Sequence, residues 1–299
     1  MSQTDQSILF HPAAIATLGN SNALYDLQLL FKSLMLWNEF NPPTIYLWCT
    51  SDVAEKVREN NLEYSGTIHT RTALDAYKKY TREQMETKPS RNGLSNLFHD
   101  FMDEKCSLME WALGSLTAEE KPRGVLFCDA DICWLGGLPL LPWGPTLALS
   151  QHMIRKEDEA KYGEYNGGFL WTNDTSIPTA WKAASRVSRF FEQAALEDLA
   201  DALPEDKLYL FPIQFNYGWW RVYQAECTPT QKISEWSLAT RPDDDHSGIL
   251  VKGQSLRCIH THFKTNDHTT QLFNMLIKQI LEKARDKSQK ASKLLRILS

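Results

Sequence analysis

Gly124-Val125-Leu126-Phe127-Cys128-Asp129-Ala130-Asp131-Ile132 carries an apolar run straight into two aspartates. The run has the make-up of a buried strand. Residues two apart on an extended chain project to the same side, so Asp129 and Asp131 are expected to converge where the strand ends. Buried carboxylates are costly unless paired or metal-bound, which makes a shared cation the first explanation to consider. The chain also contains Asp243-Asp244-Asp245, which follows Pro242 and precedes His246-Ser247-Gly248 and so reads as a solvated turn. Context, not the triplet, separates the two.

Working outward, the first half alternates strand-like and helix-like segments: a strand at 13–18, a helix at 23–38 and a strand at 44–49. That alternation predicts parallel strands joined by crossover helices. Asn20-Ser21-Asn22 forms a polar cap for the first helix, whose apolar face carries Leu24, Leu27, Phe31, Leu34 and Met35. The loop entering that helix lies at a strand's carboxyl end, where open α/β sheets bind ligands. Residues 81–92 read as a surface loop. A long amphipathic helix follows, with a stripe running from Leu94 to Leu116, and Lys105 falls on the stripe. A cation there either snorkels to solvent or reaches a buried anion. Downstream, the reading gives a strand at 146–150, Asn166-Gly167-Gly168 leading into a strand at 169–172 and read as part of the site over a plain turn, and a helix over 177–203. A segment at 208–212, a late strand at 256–263 and a basic helix complete it. Trp134, Trp143 and Trp171 read as core.

With 299 residues, 42% of them hydrophobic, the chain is long enough for one large domain or two small ones. The expected division is a single unit over 1–275, with a nucleotide-binding half near 10–135 and an acceptor half near 136–275, followed by a basic C-terminal helix at 276–299. A net charge of -5 argues against a bulk electrostatic grip on nucleic acid or acidic lipid. Six cysteines (Cys49, Cys106, Cys128, Cys133, Cys227, Cys258) show no C-x-x-C and read as reduced thiols. The polar first seven residues and the lack of a long apolar run lead to the expectation of a cytoplasmic protein without a membrane span.

Oxygen ligands such as Asp129 and Asp131 suit Mg²⁺ or Mn²⁺, and a neutral imidazole in the same shell tilts the choice toward Mn²⁺. His260 and His262 share a face of the late strand and are the candidates; Lys264 follows them.

The order of Phe127-Cys128-Asp129-Ala130-Asp131, Tyr165-Asn166-Gly167-Gly168-Phe169-Leu170, Phe215-Asn216-Tyr217-Gly218 and Ile259-His260-Thr261-His262 resembles that of the GT-A fold nucleotide-sugar glycosyltransferases. The resemblance implies an α/β fold: a single Rossmann-like GT-A domain with a mainly parallel central sheet flanked by helices. It implies a nucleotide-sugar donor, UDP-linked in this reading, and a Mn²⁺ or Mg²⁺ cofactor. Asp129 then touches the donor ribose or the metal, Asp131 ligates the metal, and a late histidine completes the shell. Lys264 or Lys105 adds positive charge to the diphosphate. Asn20 and Asp52 hold the nucleoside, Asp52 by accepting the imide hydrogen of uracil, although the same residue suits an N-cap of the helix after it. Asn166, Gly167 and Gly168 approach the sugar. Gln214 and Asn216 lie beside the reacting sugar, although the acidic residue often found before that glutamine is absent. Trp219 and Trp220, adjacent on a strand and so facing opposite ways, offer an aromatic surface to an acceptor.

The acceptor is open among a glycan, a protein, a small molecule and a modified nucleic acid base. Asp174, Glu164 and the aspartates 243–245 are the candidate bases on it. Two other readings stand beside the transferase. A haloacid-dehalogenase-type phosphatase also places Asp-x-Asp after an apolar strand, but near the N-terminus and with Thr or Val where Cys133 stands. A non-catalytic nucleotide-sugar-binding protein of the same fold is the third.

Overall fold

The computed structural model describes residues 9–60, 62–240, 245–286 and 288–299. The polar N-terminal seven residues, and Asp243 and Asp244 of the turn, lie outside the described residues.

Ala14–Gly19 (β1) is buried along its whole length, as a continuous apolar run in the middle of a parallel sheet should be. Helix Leu24–Trp37 (α1) crosses over to strand Thr44–Cys49 (β2), which runs parallel to β1. Helix Ser51–Arg58 (α2) and edge strand Ile68–Arg71 (β3) extend the same winding. Residues 81–92 are not loop throughout: Thr81 and Gln84 form a reciprocal capping box that starts a short helix, Arg82–Glu86.

The long helix, Leu97–Ser115 (α3), begins where Asn96 accepts the His99 N–H, three residues beyond the start of the stripe. It leads to Val125–Cys128 (β4), parallel to β1 on the side opposite β2. Ile132–Trp134 (β5) leaves the main sheet. Leu147–Gln151 (β6) and Tyr165–Thr172 (β7) return to it, with β7 antiparallel to both β4 and β6. The expected helix over 177–203 is two helices, Ser176–Ser185 (α4) and Phe191–Ala202 (α5). The break falls where Phe191 takes a φ of 45°, a left-handed conformation no helix interior tolerates. Leu208–Leu210 (β8) closes the far edge, parallel to β6.

The sheet order is therefore β8-β6-β7-β4-β1-β2-β3, mixed α/β with one antiparallel strand. Along β1, Ala14, Ala16 and Leu18 pack under α3, α4 and α5, while Ile15 faces α1, so helices cover both faces. Trp134 and Trp171 are core as expected; Trp143 is not, being half-exposed against Phe10.

A small sheet stands beside the main one: Tyr217–Gly218 (β9) runs parallel to Cys258–His260 (β10), which pairs antiparallel with β5. The C-terminal end is two helices, His268–Ala284 (α6) and Gln289–Ile297 (α7). Phe273, Ile277, Leu281, Ala291 and Leu294 bury against this second sheet's core, so the segment is packed and not merely solvated, and residue 276 falls inside α6. All six cysteines are free, and five are buried. No helix among the described residues is long and apolar enough to cross a membrane.

Candidate active site

β4 ends because the chain turns: the Ile132 N–H donates to the Asp129 carbonyl over 3.1 Å. Asp129 and Asp131 thus converge through a turn between β4 and β5, and not through alternation along a strand as expected. The small sheet then brings up the third group. His260 lies opposite Ile132 in the β10-β5 pairing, and the Thr261 N–H donates to the Asp131 carbonyl at 3.0 Å. Ligand atoms of Asp129, Asp131 and His260 fall within 4.8 Å of one another. His260 Nε2 is 3.1 Å from Asp131 Oδ1 and 3.9 Å from Asp129 Oδ2.

His262 is not equivalent to it. The strand ends at His260, and His262 is 60% exposed, with Nδ1 2.9 Å from Asp26 Oδ2 and Nε2 3.4 Å from Asp131 Oδ2. The charge of Asp131 and the bond to Asp26 raise its pKa to about 9, so it is an imidazolium at neutral pH. Burial drives the Asp131 carboxyl up, but His260 and His262 more than reverse this and hold it ionised.

Lys105 does reach buried anions. Its Nζ lies 3.1 Å from Asp129, 2.9 Å from Glu192 and 3.2 Å from the Gly167 carbonyl. Burial disfavours the ammonium, yet Asp129 and Glu192 raise its pKa above that of a free lysine. Asp129 itself is raised by burial, with Lys105 opposing. Four carboxylates (Asp26, Asp129, Asp131, Glu192) thus face one ammonium and one imidazolium. That excess of negative charge, with two carboxylates and an imidazole converging, suits a divalent cation held by Asp129, Asp131 and His260.

Asn166-Gly167-Gly168 is not a turn before a strand but lies within β7. Its glycines are there for close approach: a Cβ on Gly168 would run into Asp129 Oδ2 and stand 2.5 Å from His260 Cε1. On Gly167 it would stand 2.9 Å from Glu192 Oε1. Asn166 is buried and engaged with Gly168, His152 and Asn216. Asn216, fully buried, bonds His260 Nδ1 at 2.8 Å and so lies behind that imidazole. The Gln214 amide donates at 3.0 Å to the carbonyl of Val251, the last residue of strand Ile249–Val251.

Trp219 and Trp220 begin a short helix, Trp220–Tyr223, so they do not alternate as strand neighbours. The Trp220 ring lies edge-on to His260, centroids 5.0 Å apart, because Gly218 leaves it room. Asn20 caps the turn before α1 by accepting the Asn22 N–H. Asp52 is not the N-cap of α2, a position held by Thr50; its oxygens take the Ser21 hydroxyl and, at 3.0 Å, Lys78. Lys264 lies over the Tyr25 ring at 3.9 Å. Of the candidate bases among the described residues, Asp174 holds Ser176, Glu164 accepts from Gln151, and Asp245 pairs with Arg257.

Two cavities meet at the cluster. One, of about 510 Å³, is lined by Asn20, Asn22, Asp26, Lys264 and the aspartate pair. The other, of about 400 Å³, is lined by Phe190, Phe191, Glu192, Trp219 and Trp220, again with Asp129, Asp131 and His260. Arg82, Phe98 and Met102 line both.

The fold is shared with solved structures. The apo glycosyltransferase GlyE of Streptococcus pneumoniae TIGR4 superimposes with a TM-score of 0.53 at 15% identity, over 95% of this chain. The fold is of the GT-A type. Galactosyltransferase LgtC, in complex with donor and acceptor sugar analogs, gives 0.50 at 15% identity, over 88% of this chain and 94% of its own. This GT-A chain spans 62% of the GlyE chain. No family model matches the sequence, and no curated protein sequence matches it significantly.

Three site residues escaped the sequence reading. Lys105 on an apolar stripe signalled a buried anion, but nothing in the sequence singled out Glu192 as that anion. Asp26 lies in the first turn of α1, beside the loop expected to bind ligand, and that proximity was its one signal. Arg82 sat in a stretch taken for loop.

Proposed function

We propose that this chain is a glycosyltransferase that moves a sugar from a nucleotide-diphosphate donor, UDP-linked, to an acceptor hydroxyl, with Mn²⁺ or Mg²⁺ as cofactor. One observation carries the reading: Asp129, Asp131 and His260 converge within 4.8 Å at the seam where the two cavities meet. A donor in the first cavity and an acceptor in the second would share that point. The mixed donor set favours Mn²⁺.

Asp129, Asp131 and His260 would hold the cation, which would supply Lewis-acid stabilisation of a diphosphate leaving group. The chain's own groups do the rest. Asn20 and Asp52 flank the carboxyl ends of β1 and β2 and receive the nucleoside. Lys264, at the first cavity's rim, adds positive charge to the phosphates. Lys105 opposes the upward pull of burial on Asp129 and holds it in place, while Glu192 shares its charge. Phe190, Phe191 and Trp219 present apolar faces to the acceptor, as C–H surfaces of a sugar require. Six free thiols fit a reducing, cytoplasmic setting.

A thermal-shift screen of nucleotides and nucleotide sugars with and without Mn²⁺ tests this. Metal-dependent stabilisation by one nucleoside diphosphate, absent in Asp131→Ala, is expected. No stabilisation by any of them, or phosphate monoester hydrolysis in its place, counts against the transferase.

A further inference from the structure

Behind His260 runs a chain of buried side chains ending at a second histidine, His152, which is not part of the acidic cluster. His152, Asn166, Asn216 and His260 are all at most 8% exposed. Their protons can be assigned because two backbone groups at the ends act in one direction only. The Gly163 carbonyl can only accept, so His152 Nδ1, 2.7 Å away, carries the hydrogen and Nε2 is left as an acceptor. Asn166 Nδ2 lies 3.1 Å from that Nε2 and donates to it. The Gly168 N–H can only donate, and it bonds Asn166 Oδ1 at 3.0 Å, which fixes the same amide orientation independently.

Asn166 Oδ1 therefore accepts from Asn216 Nδ2 at 3.0 Å, and Asn216 gives its other hydrogen to Ser150 Oγ at 3.1 Å. What remains for His260 is Asn216 Oδ1, 2.8 Å from Nδ1. His260 Nδ1 must then carry the hydrogen, which leaves Nε2, 3.1 Å from Asp131 Oδ1, as the nitrogen available to a cation there. Flipping any one member sets donor against donor or acceptor against acceptor among buried groups, where a mismatch is costly. Trp220 packs edge-on against both imidazoles, with centroids 5.9 Å and 5.0 Å away, and leaves neither ring free to rotate.

We infer that His152 is a positioning residue for the cation site: acting through Asn166 and Asn216, it sets which nitrogen of His260 is free to bind metal. The inference rests on the reading of Asp129, Asp131 and His260 as a metal site. Burial also keeps His152 neutral at physiological pH, as the relay requires.

Mn²⁺ titration followed by the EPR signal of the free ion tests it, without substrate. His152→Phe keeps the ring volume and removes the acceptor for Asn166; it should weaken Mn²⁺ binding by roughly 10-fold or more. His152→Gln, which restores an acceptor, should recover most of the loss, and His99→Phe, an equally buried histidine outside the relay, should leave affinity unchanged. Wild-type affinity in folded His152→Phe, no recovery in His152→Gln, or an equal loss in His99→Phe overturns the relay. Where His152→Phe does not fold, Ser150→Ala removes the other acceptor of Asn216: a several-fold loss supports the relay and unchanged affinity overturns it. Failure of the wild-type protein itself to bind Mn²⁺ refutes the metal site, a separate outcome.

Discussion

The Asp129 N–H donates to the Gly168 carbonyl over 2.9 Å, and the side chain that Gly168 lacks is what allows Asp129 and His260 to occupy neighbouring space. Neither glycine of the pair adopts a left-handed conformation, so the requirement is steric and not conformational. Gly168→Ala should therefore fold with a local shift, destabilised by about 1–3 kcal/mol. It should also lose Mn²⁺-dependent stabilisation, because the added methyl pushes Asp129 or His260 out of reach. Differential scanning fluorimetry with and without Mn²⁺ separates the two effects. Retention of the full metal response would show that the aspartate turn has slack the structure does not suggest.

Lys105 stands between the buried Glu192 and the part-buried Asp129, and removing it leaves both carboxylates uncompensated. Lys105→Met is expected to cost about 3–5 kcal/mol, the range for breaking a buried ion pair by deleting one partner. Adding Glu192→Gln to the same protein should recover part of that loss, since one of the two orphaned charges is then gone. Urea denaturation of the single and double variants measures the coupling. Strict additivity would mean that Lys105 and Glu192 do not stabilise one another.

How much of this was legible beforehand depended on what kind of information each feature carried. β1 and β2 are continuous apolar runs, so Ala14–Gly19 and Thr44–Cys49 were placed to within a residue. Ile68–Arg71, the edge strand, reads Ile-His-Thr-Arg and is mostly exposed, so no hydrophobic pattern announced it. The break before α5 depends on the φ of Phe191, a tertiary effect that a helical periodicity passes over. Asp129, Asp131 and His260 stood out because acids and imidazoles at strand ends demand a partner. Asn216 and Asn166 are uncharged amides that bond almost anything, and the sequence could not say that they brace an imidazole.

His152 gives the pH dependence a definite sign. Burial depresses its pKa to about 4, against about 6.5 in the unfolded chain. Between those values the unfolded state binds more protons, so stability falls as pH drops through the window. The contribution is complete above about pH 6.5 and reaches a loss of about 3 kcal/mol below pH 4. Comparing wild type with His152→Gln by urea denaturation across pH 4–7 isolates it, because the other titrating groups are common to both. Parallel profiles would mean that His152 titrates normally in the folded protein.

The two late histidines should part company when each is replaced. His260→Ala removes a converging ligand and should weaken Mn²⁺ binding beyond the roughly 10–100-fold typical of outer-shell partners. His262 is 60% exposed, and its bonds to Asp26 and Asp131 are worth what partly solvated ion pairs are worth, about 0–1 kcal/mol. His262→Ala should therefore change Mn²⁺ affinity by no more than about fivefold, and removing an imidazolium from beside Asp131 pushes the change toward tighter binding. Isothermal titration calorimetry of both variants at pH 7 decides the matter. A large loss in His262→Ala with a small one in His260→Ala would transfer the ligand role to the exposed histidine and pull the cation toward Asp26.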